Sequence, residues 1–224
     1  MPRHSPRREQ PSSMGDSKLP PGGLYGITNG PRDDLLAVAH AALEGGAAML
    51  QYRDKTCDRH RRLREARALA ALCYGFEAPL IVNDDVELAR DCGAAGVHLG
   101  EDDTAIADAR ALLGTNAIIG VSCYDSLQRA RDAARAGVNY LAFGAFFPTS
   151  TKAVTRRATT ALLREARSLG LPLVAIGGIT PDNGGSLIPA GADFLAAISA
   201  LFDTRDVRAT ARQFTALFES RNTT

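Results

Sequence analysis

The sequence has no tryptophan and few aromatic residues, which narrows the classes of protein it can belong to. Aromatic side chains make up 6% of its 224 residues. A protein that stacks nucleic-acid bases on aromatic rings would need more of them. The formal net charge is only +1, so no overall field favours nucleic acid or an anionic membrane. We therefore expect neither partner, and any bound anion must be held by local groups.

Cysteine is also scarce, and its spacing argues against two common kinds of site. The four cysteines are Cys57, Cys73, Cys92 and Cys123, and no two of them form a CxxC pair. This spacing is typical of neither a zinc site nor a disulfide framework. Free thiols suit a reducing compartment, so we predict a cytoplasmic protein. Long apolar runs are absent as well, and no membrane span is predicted.

The first residues differ in composition from the rest of the chain. Residues 1–20 are rich in Pro, Ser and Arg, and they lack the apolar core of a secretory signal. We predict a disordered basic tail over residues 1–20 and one folded domain over residues 21–224. A basic tail can contact a partner, but a solvated extension without a role is the simpler interpretation.

From Leu24 onward, short apolar segments alternate with longer amphipathic, alanine-rich ones. The apolar segments are LYGIT (24–28), AAMLQYR (47–53), PLIVND (79–84), GVHLG (96–100), AIIGVS (117–122), YLAFG (140–144), LVAIGG (173–178) and FLAAIS (194–199). Their composition suits buried parallel strands, and the intervening segments have helical spacing. The alternation predicts an α/β protein with a single (β/α)8 TIM barrel. A doubly wound open sheet is the alternative, but GITNG poorly matches its glycine-rich fingerprint.

Active sites of such barrels lie at the C-terminal ends of the strands, and the second strand ends in cations there. In the segment QYRDK, Gln51, Arg53 and Lys55 occupy alternate positions, so an extended strand would point them to the same side. An arginine fork beside a lysine suits a diphosphate. The alternative is that Arg53 pairs with Asp54 or another nearby carboxylate.

Acidic clusters end the next two predicted strands. They are NDD (83–85) and EDD (101–103), and neighbouring strands bring their ends together. Carboxylates from two loops suit Mg²⁺, which keeps some of its waters for a substrate phosphate. The alternative is helix N-capping, which also uses Asp at these positions. We predict that one acid in each cluster binds Mg²⁺ and that others cap.

The later strands offer groups for a second anion. Hydroxyl residues and a lysine follow the sixth strand at positions 149–152, and Gly177 and Gly178 end the seventh. Loops at this end of a barrel often hold a phosphate through backbone amides, which glycine lets approach closely. Ordinary loop composition and a tight turn are the alternatives.

No Ser/His/Asp set or activated cysteine is evident. His98 lies within the fourth strand, where a hydrogen-bonded core histidine is the better interpretation. Cys123 follows Ser122 at a strand end and could line the pocket, but it has no evident activating base. Cations, a metal and hydroxyls without a nucleophile indicate assistance to a leaving group, and diphosphate is such a group.

The segments QYRDK, NDDVELA, GVHLGEDD, GVS, PTSTK, AIGGI and AIS, in this order, resemble the thiamine phosphate synthase family. The resemblance extends from about Gly22 to Ala200. It implies a catalytic (β/α)8 barrel. It also implies that 4-amino-2-methyl-5-(diphosphooxymethyl)pyrimidine condenses with 4-methyl-5-(2-phosphooxyethyl)thiazole, giving thiamine phosphate and diphosphate. The implied mechanism is dissociative: diphosphate departs first, and the thiazole nitrogen then attacks the pyrimidine cation.

The resemblance also implies roles for individual residues. The pyrimidine diphosphate would contact Gln51, Tyr52, Arg53, Asp54, Lys55, Asn83, Ser122 and Lys152. The thiazole phosphate would contact Thr149, Ser150, Thr151, Gly178, Ile198 and Ser199. Asp84 and Asp103 would hold Mg²⁺, and Lys152, Ser122 and Arg53 would take part in catalysis.

Three residues depart from the family pattern. Glu101 replaces the usual Gln of a GQxD motif, Cys123 replaces a common His after GVS, and Ala145 replaces a Pro before FPT. Two other functions therefore remain as alternatives. One is a paralogous thiazole tautomerase, which would not need the diphosphate residues. The other is a non-catalytic sensor of a phosphorylated ligand, whose basic tail docks a partner.

Overall fold

Eight parallel strands close into a barrel, in the order in which they occur along the chain. The computed structural model describes residues 18–148 and 156–219. Most of the tail predicted over residues 1–20 therefore lies outside the described residues. Within the part that is described, Leu19 packs against the apolar cluster inside the barrel.

The elements alternate as a (β/α)8 fold requires. The strands are β1 (Gly23–Ile27), β2 (Ala47–Tyr52), β3 (Leu80–Asn83), β4 (Gly96–Leu99), β5 (Ile118–Tyr124), β6 (Tyr140–Phe143), β7 (Leu173–Ile176) and β8 (Phe194–Ala197). The helices in the described ranges are α1 (Leu35–Glu44), α2 (Arg59–Gly75), α3 (Val86–Cys92), α4 (Ile106–Leu113), α5 (Leu127–Arg135), α6 (Thr160–Ala166), α7 (Pro181–Gly184), α8 (Ser199–Phe202) and α9 (Val207–Glu219).

Each of the eight predicted strands overlaps one of these strands, so the predicted (β/α)8 barrel is confirmed. The alternative of an open sheet is wrong, because β1 pairs in parallel with both β2 and β8. Closure leaves none of these eight strands with an unpaired edge. Among the residues that the structure describes, no helix combines the length and the apolar character needed to cross a bilayer.

Two apolar layers stabilise the barrel, as the alternation of side chains along each strand dictates. The inner layer fills the barrel and includes Tyr25, Ile81, Tyr140 and Phe194. The outer layer packs the strands against the helices. Because the inner layer contains two tyrosines, the barrel interior also contains polar atoms, and these connect to the residues at its C-terminal rim.

Candidate active site

The cationic segment after β2 divides its side chains between two sides, as its alternation predicts. Gln51 is buried and points into the barrel, where its Nε2 donates to Tyr25 Oη at 2.7 Å. Lys55 Nζ lies 3.5 Å from Asp84 Oδ2. The half-buried Arg53 is held by its backbone N–H, which donates to Thr28 Oγ1 at 2.8 Å. The segment therefore brings Lys55 to the rim and fixes the backbone of Arg53 beside Thr28.

Tyr52 and Asp54 lie on the opposite side of this segment and face α2. Tyr52 Oη donates to Glu65 Oε2 at 2.6 Å, and Arg61 Nη2 donates to Asp54 Oδ2, also at 2.6 Å. Any contact that Tyr52 or Asp54 makes with a ligand at the rim must come from backbone atoms. Asp54 is not the ion-pair partner of Arg53 that the alternative interpretation required, because Asp54 pairs with Arg61. Among residues 18–148 and 156–219, no carboxylate forms an ion pair with Arg53.

The first acidic cluster separates into a capping residue and a rim residue. Asp85 is the N-cap of α3, with Oδ1 accepting from Leu88 N at 2.9 Å. Asp84 adopts φ 62°, in the left-handed region that non-glycine residues seldom occupy. Such backbone conformations cluster at functional sites. Asn83, half-buried at the end of β3, pairs with His98 in the β3–β4 register.

The second acidic cluster supplies a partner for Asp84. The Asp103 carboxylate accepts from the backbone N–H of Gly100 and lies within hydrogen-bonding reach of the Asp84 carboxylate. Burial and this neighbouring carboxylate raise the pKa of Asp84, and Lys55 opposes the rise. Capping does not explain the cluster, because α4 begins after Ala105 without a side-chain cap.

Glu101 takes no part in this carboxylate pair. Its Oε2 accepts from Arg156 Nη1 at 3.0 Å, and the Arg156 guanidinium lies 4.9 Å from the centre of the Tyr124 ring. Glu101, which replaces the family's Gln, therefore has its negative charge offset by Arg156.

The pair formed by Asp84 and Asp103 fits Mg²⁺ by its chemistry. A cation between the two carboxylates would offset the repulsion from Asp103 that helps to raise the pKa of Asp84. The described residues contain no cluster of three or more His, Cys, Asp or Glu side chains suited to a metal. Two protein oxygens with the remaining ligands left to water and substrate phosphate are typical of Mg²⁺.

The loop after β6 is closed at its base by backbone hydrogen bonds. Ala145 N donates to Arg156 O at 3.4 Å, and Ala158 N donates to Ala145 O at 3.1 Å. The predicted anion-binding residues Thr149, Ser150, Thr151 and Lys152 lie outside the described residues. On the N-terminal side of this loop, Phe146 N donates to Ile176 O of β7 at 3.3 Å.

The glycines after β7 are constrained by this loop. Gly178 has φ 65°, and a Cβ there would lie 2.3 Å from the carbonyl oxygen of Pro148. A Cβ on Gly177 would lie 2.4 Å from Ala145 Cβ. The glycines are therefore required by the packing of two loops, whether or not a phosphate binds there. After β8, Ile198 is the N-cap of α8 and Ser199 is its first residue.

Ser122 and His98 are in contact near the rim. His98 Nε2 lies 2.9 Å from Ser122 Oγ, and His98 Nδ1 lies 2.9 Å from Tyr140 Oη. Burial lowers the pKa of His98 to about 4, so the ring is neutral at pH 7. Cys123 does not line the pocket. It is buried in the outer layer, and burial raises the pKa of its thiol to about 12.

Sequence reasoning missed three contributors to the rim. Tyr25 and Tyr140 appeared as ordinary strand residues, yet their hydroxyls lie 2.9 Å apart inside the barrel. Arg129 of α5 donates to Ser122 O at 2.7 Å and to Gly100 O at 2.9 Å, which ties the ends of β4 and β5 together. A tyrosine within an apolar strand is the signal that could have identified the first two.

Comparison with known proteins connects this rim to one family. The family model described as thiamine monophosphate synthase matches residues 24–201. The thiamine-phosphate synthase of Xanthomonas campestris pv. campestris (strain 8004) is 55% identical over 198 residues, covering 88% of this chain and 95% of that protein. The protein of the same description from Nitrosococcus oceani is 51% identical over 204 residues, covering 89% and 94%.

A solved structure agrees with the sequence comparisons. Thiamine phosphate pyrophosphorylase from Pyrococcus furiosus superimposes with a TM-score of 0.81 at 33% identity, and the match covers 92% of this chain and 98% of that one. The matches include the strands whose ends carry Gln51, Asp84 and Ser122. Because sequence and fold agree over nearly the whole barrel, the chain belongs to the thiamine monophosphate synthase family.

Proposed function

We propose that this chain, a transferase of the family named above, joins the pyrimidine diphosphate to the thiazole phosphate and releases diphosphate. The observation that carries the proposal is the convergence of Lys55, Asp84 and Asp103 at the ends of β2, β3 and β4. A thiazole tautomerase would not need this cluster, because its reaction releases no diphosphate. The proposed substrates are small molecules, and the four free cysteines support a cytoplasmic location.

The proposed chemistry needs no protein nucleophile. The bond between the pyrimidine methylene carbon and the diphosphate oxygen breaks, and diphosphate leaves with the electron pair. The aminopyrimidine stabilises the resulting cation until the thiazole nitrogen attacks it and forms the C–N bond. Arg53, Lys55 and Lys152 would neutralise the leaving group, and Ser122 would donate a hydrogen bond to it. Gln51 and Asn83 would hold the pyrimidine portion.

Asp84 and Asp103 would hold Mg²⁺, since their paired carboxylates suit this cation. When bound, the ion would supply positive charge to the departing diphosphate. Lys55 lies beside the Asp84 carboxylate, so it would contact the diphosphate at the same place as the ion. Lys55, Asp84 and Asp103 thus follow three neighbouring strands, β2, β3 and β4.

The thiazole phosphate would bind on the other side of the rim. Thr149, Ser150 and Thr151 would donate hydroxyl hydrogen bonds, and Gly178, Ile198 and Ser199 would offer backbone or side-chain donors. Support comes from their placement, since Gly178 follows β7, Ser199 follows β8, and these two strands are paired. The loop after β6 would then contact both substrates, because Lys152 lies in the same loop as the hydroxyls.

An assay with purified protein tests the proposal. Protein, Mg²⁺ and both substrates should yield thiamine phosphate, and EDTA should abolish it. Isomerisation of the thiazole moiety without release of diphosphate would favour the tautomerase. Binding without turnover would favour the sensor, and removal of residues 1–17 would then abolish its role. Under our proposal that truncation leaves turnover within about twofold, because the barrel and its rim are retained.

A further inference from the structure

A continuous hydrogen-bond chain crosses the barrel interior and ends at the rim. Gln51 Nε2 donates to Tyr25 Oη at 2.7 Å, and the hydroxyls of Tyr25 and Tyr140 are 2.9 Å apart. Tyr140 Oη lies 2.9 Å from His98 Nδ1, and His98 Nε2 lies 2.9 Å from Ser122 Oγ. The chain thus links Gln51 on β2 to Ser122 on β5 through three residues that do not belong to the substrate-binding set.

Packing holds this chain in place. Tyr25 and Tyr140 are 1% and 0% exposed, and their rings meet edge to face with centroids 6.0 Å apart. The His98 ring stacks on Tyr140 at a centroid distance of 5.6 Å. Glycine is required at position 120, because a Cβ there would lie 1.9 Å from Tyr140 Cζ. The strand before Ser122 therefore makes room for the ring that the chain needs.

The direction of the chain follows from counting donors. A neutral imidazole has one N–H group, so His98 donates from one nitrogen and accepts at the other. If Nε2 donates to Ser122, then Nδ1 accepts from Tyr140, which accepts from Tyr25. Tyr25 in turn accepts from Gln51, and every buried donor has a partner.

The opposite tautomer leaves a buried proton without a partner. If Nδ1 of His98 carried the proton, Tyr140 would have to donate to Tyr25. Tyr25 would then accept from both Tyr140 and Gln51, and its own O–H would find no acceptor among its two contacts. An unpartnered buried hydroxyl is costly. The orientation of the Gln51 amide therefore fixes the direction of the whole chain.

We propose that Tyr25, Tyr140 and His98 are positioning residues that make Ser122 a hydrogen-bond donor to the pyrimidine diphosphate. The inference rests on the proposed function, in which Ser122 meets an anionic leaving group. Because His98 Nε2 donates to Ser122 Oγ, the serine proton is free to point toward the diphosphate. At the other end, Gln51 uses its amide nitrogen on Tyr25 and keeps Oε1 to accept from the pyrimidine amino group. In this proposal the pyrimidine amino group donates to Gln51 and the diphosphate accepts from Ser122. Both interactions favour the same direction of the hydrogen-bond chain.

The histidine tautomer is the direct test. Nitrogen-15 NMR of histidine-labelled protein distinguishes Nε2–H from Nδ1–H, and the His98 signal is assigned by its loss in His98→Gln or, if that variant does not fold, in His98→Asn. We expect Nε2–H in the free protein and with the pyrimidine diphosphate bound. Nδ1–H in either state would overturn the proposal.

A double-mutant cycle tests the consequence for turnover. Tyr25 and Ser122 share no hydrogen bond, so a purely structural tyrosine should act independently of the serine. We expect Tyr25→Phe to lower kcat/KM for the pyrimidine diphosphate about tenfold in the wild type but only about threefold in Ser122→Ala, because the effect that acts through the serine is then lost and only the effect that acts through Gln51 remains. Equal effects in both backgrounds would overturn the proposal.

A control variant and the activity of the wild type distinguish failure of this inference from failure of the proposed function. Met49→Leu changes the same inner layer without altering the chain, and its effect on kcat/KM should be the same with Ser122 as with Ala at that position. If the wild type formed no thiamine phosphate, the proposed function would fail. An Nε2–H tautomer would then still establish the direction of the chain, whereas an active wild type with independent Tyr25 and Ser122 effects would refute only the inference.

Discussion

Lys55 Nζ lies 3.5 Å from Asp84 Oδ2, while the other neighbour of that carboxylate is the like-charged Asp103. The next residue in the chain after Asp84, Asp85, has a different role and is the N-cap of α3. Two consecutive aspartates therefore serve the rim and the fold separately. This separation allows each to be tested by substitution.

Replacing Asp84 should stabilise the metal-free protein and inactivate it. Asp84→Asn removes the repulsion from Asp103 and suits the left-handed backbone at φ 62°, which Asn tolerates well. We expect Tm to rise by about 2–4 °C without metal, which corresponds to about 1 kcal/mol in a domain of this size. Added Mg²⁺ should raise the Tm of the wild type but not of the variant, and turnover should fall at least about 100-fold.

Asp85→Ala is the matched control for this prediction. Loss of the cap on Leu88 N and of the ion pair with Arg62 should lower stability by about 1 kcal/mol. Turnover and the effect of Mg²⁺ on Tm should stay within about twofold of the wild type. Opposite results for the two aspartates would show that the metal site has been assigned to the wrong residue.

Restoring the family residue at position 101 should change little. The Glu101 carboxylate is paired with Arg156 at 3.0 Å, and the two side chains are 44% and 47% exposed. An exposed ion pair contributes little to stability, and this carboxylate does not contact the Asp84 pair. We expect Glu101→Gln to change the Mg²⁺ concentration for half-maximal activity less than about threefold. A tenfold shift would mean that Glu101 acts on the metal directly.

Stability should fall with acid partly because of His98. Its pKa is lowered from 6.5 to about 4 by burial, and Asp103 opposes part of the shift. The unfolded chain therefore binds a proton below about pH 6.5 that the folded protein accepts only near pH 4, so stability is lost as pH falls through this window. The loss from this residue is at most about 3 kcal/mol.

Urea titrations at about pH 7.5 and about pH 4.5 measure this contribution. His98→Gln should lose less unfolding free energy between the two conditions than the wild type loses. Val97→Ala, next to it in β4, is a control that destabilises the barrel without removing a titratable group. An equal pH dependence in His98→Gln and the wild type would contradict the assignment of a buried neutral histidine.

The two sides of the rim should give different kinetic signatures. Arg53→Ala and Lys152→Ala remove cations that stabilise the leaving group, so kcat should fall by about 10–100-fold or more. Ser199→Ala removes a group proposed to bind the thiazole phosphate, so the KM for that substrate should rise with a smaller change in kcat. Wild-type turnover in Lys152→Ala would contradict the role given to the loop after β6.

The sequence predicted the barrel well, because eight apolar strand segments separated by helices fit few other folds. It also predicted one capping residue and one metal-binding residue in each acidic cluster. Asp85 caps α3 as predicted, but no side chain of the second cluster caps α4, so that part was wrong, and the metal roles of Asp84 and Asp103 stay a prediction. It did not reveal the partner of Glu101 or the chain through Tyr25 and Tyr140, since both depend on residues distant in sequence. Glu101 meets Arg156 across 55 residues, and Tyr25 meets Tyr140 across 115. Local patterns contain no information about such pairs.

A single-turnover experiment tests the central claim most directly, namely that this rim transfers the pyrimidine to the thiazole nitrogen with loss of diphosphate. Enzyme in excess over the pyrimidine diphosphate is mixed with Mg²⁺ and saturating thiazole phosphate, and both products are quantified after a rapid quench. The account predicts about one thiamine phosphate for each diphosphate released, and neither product with Asp84→Asn. Diphosphate released without thiamine phosphate, or full activity in Asp84→Asn, would contradict it.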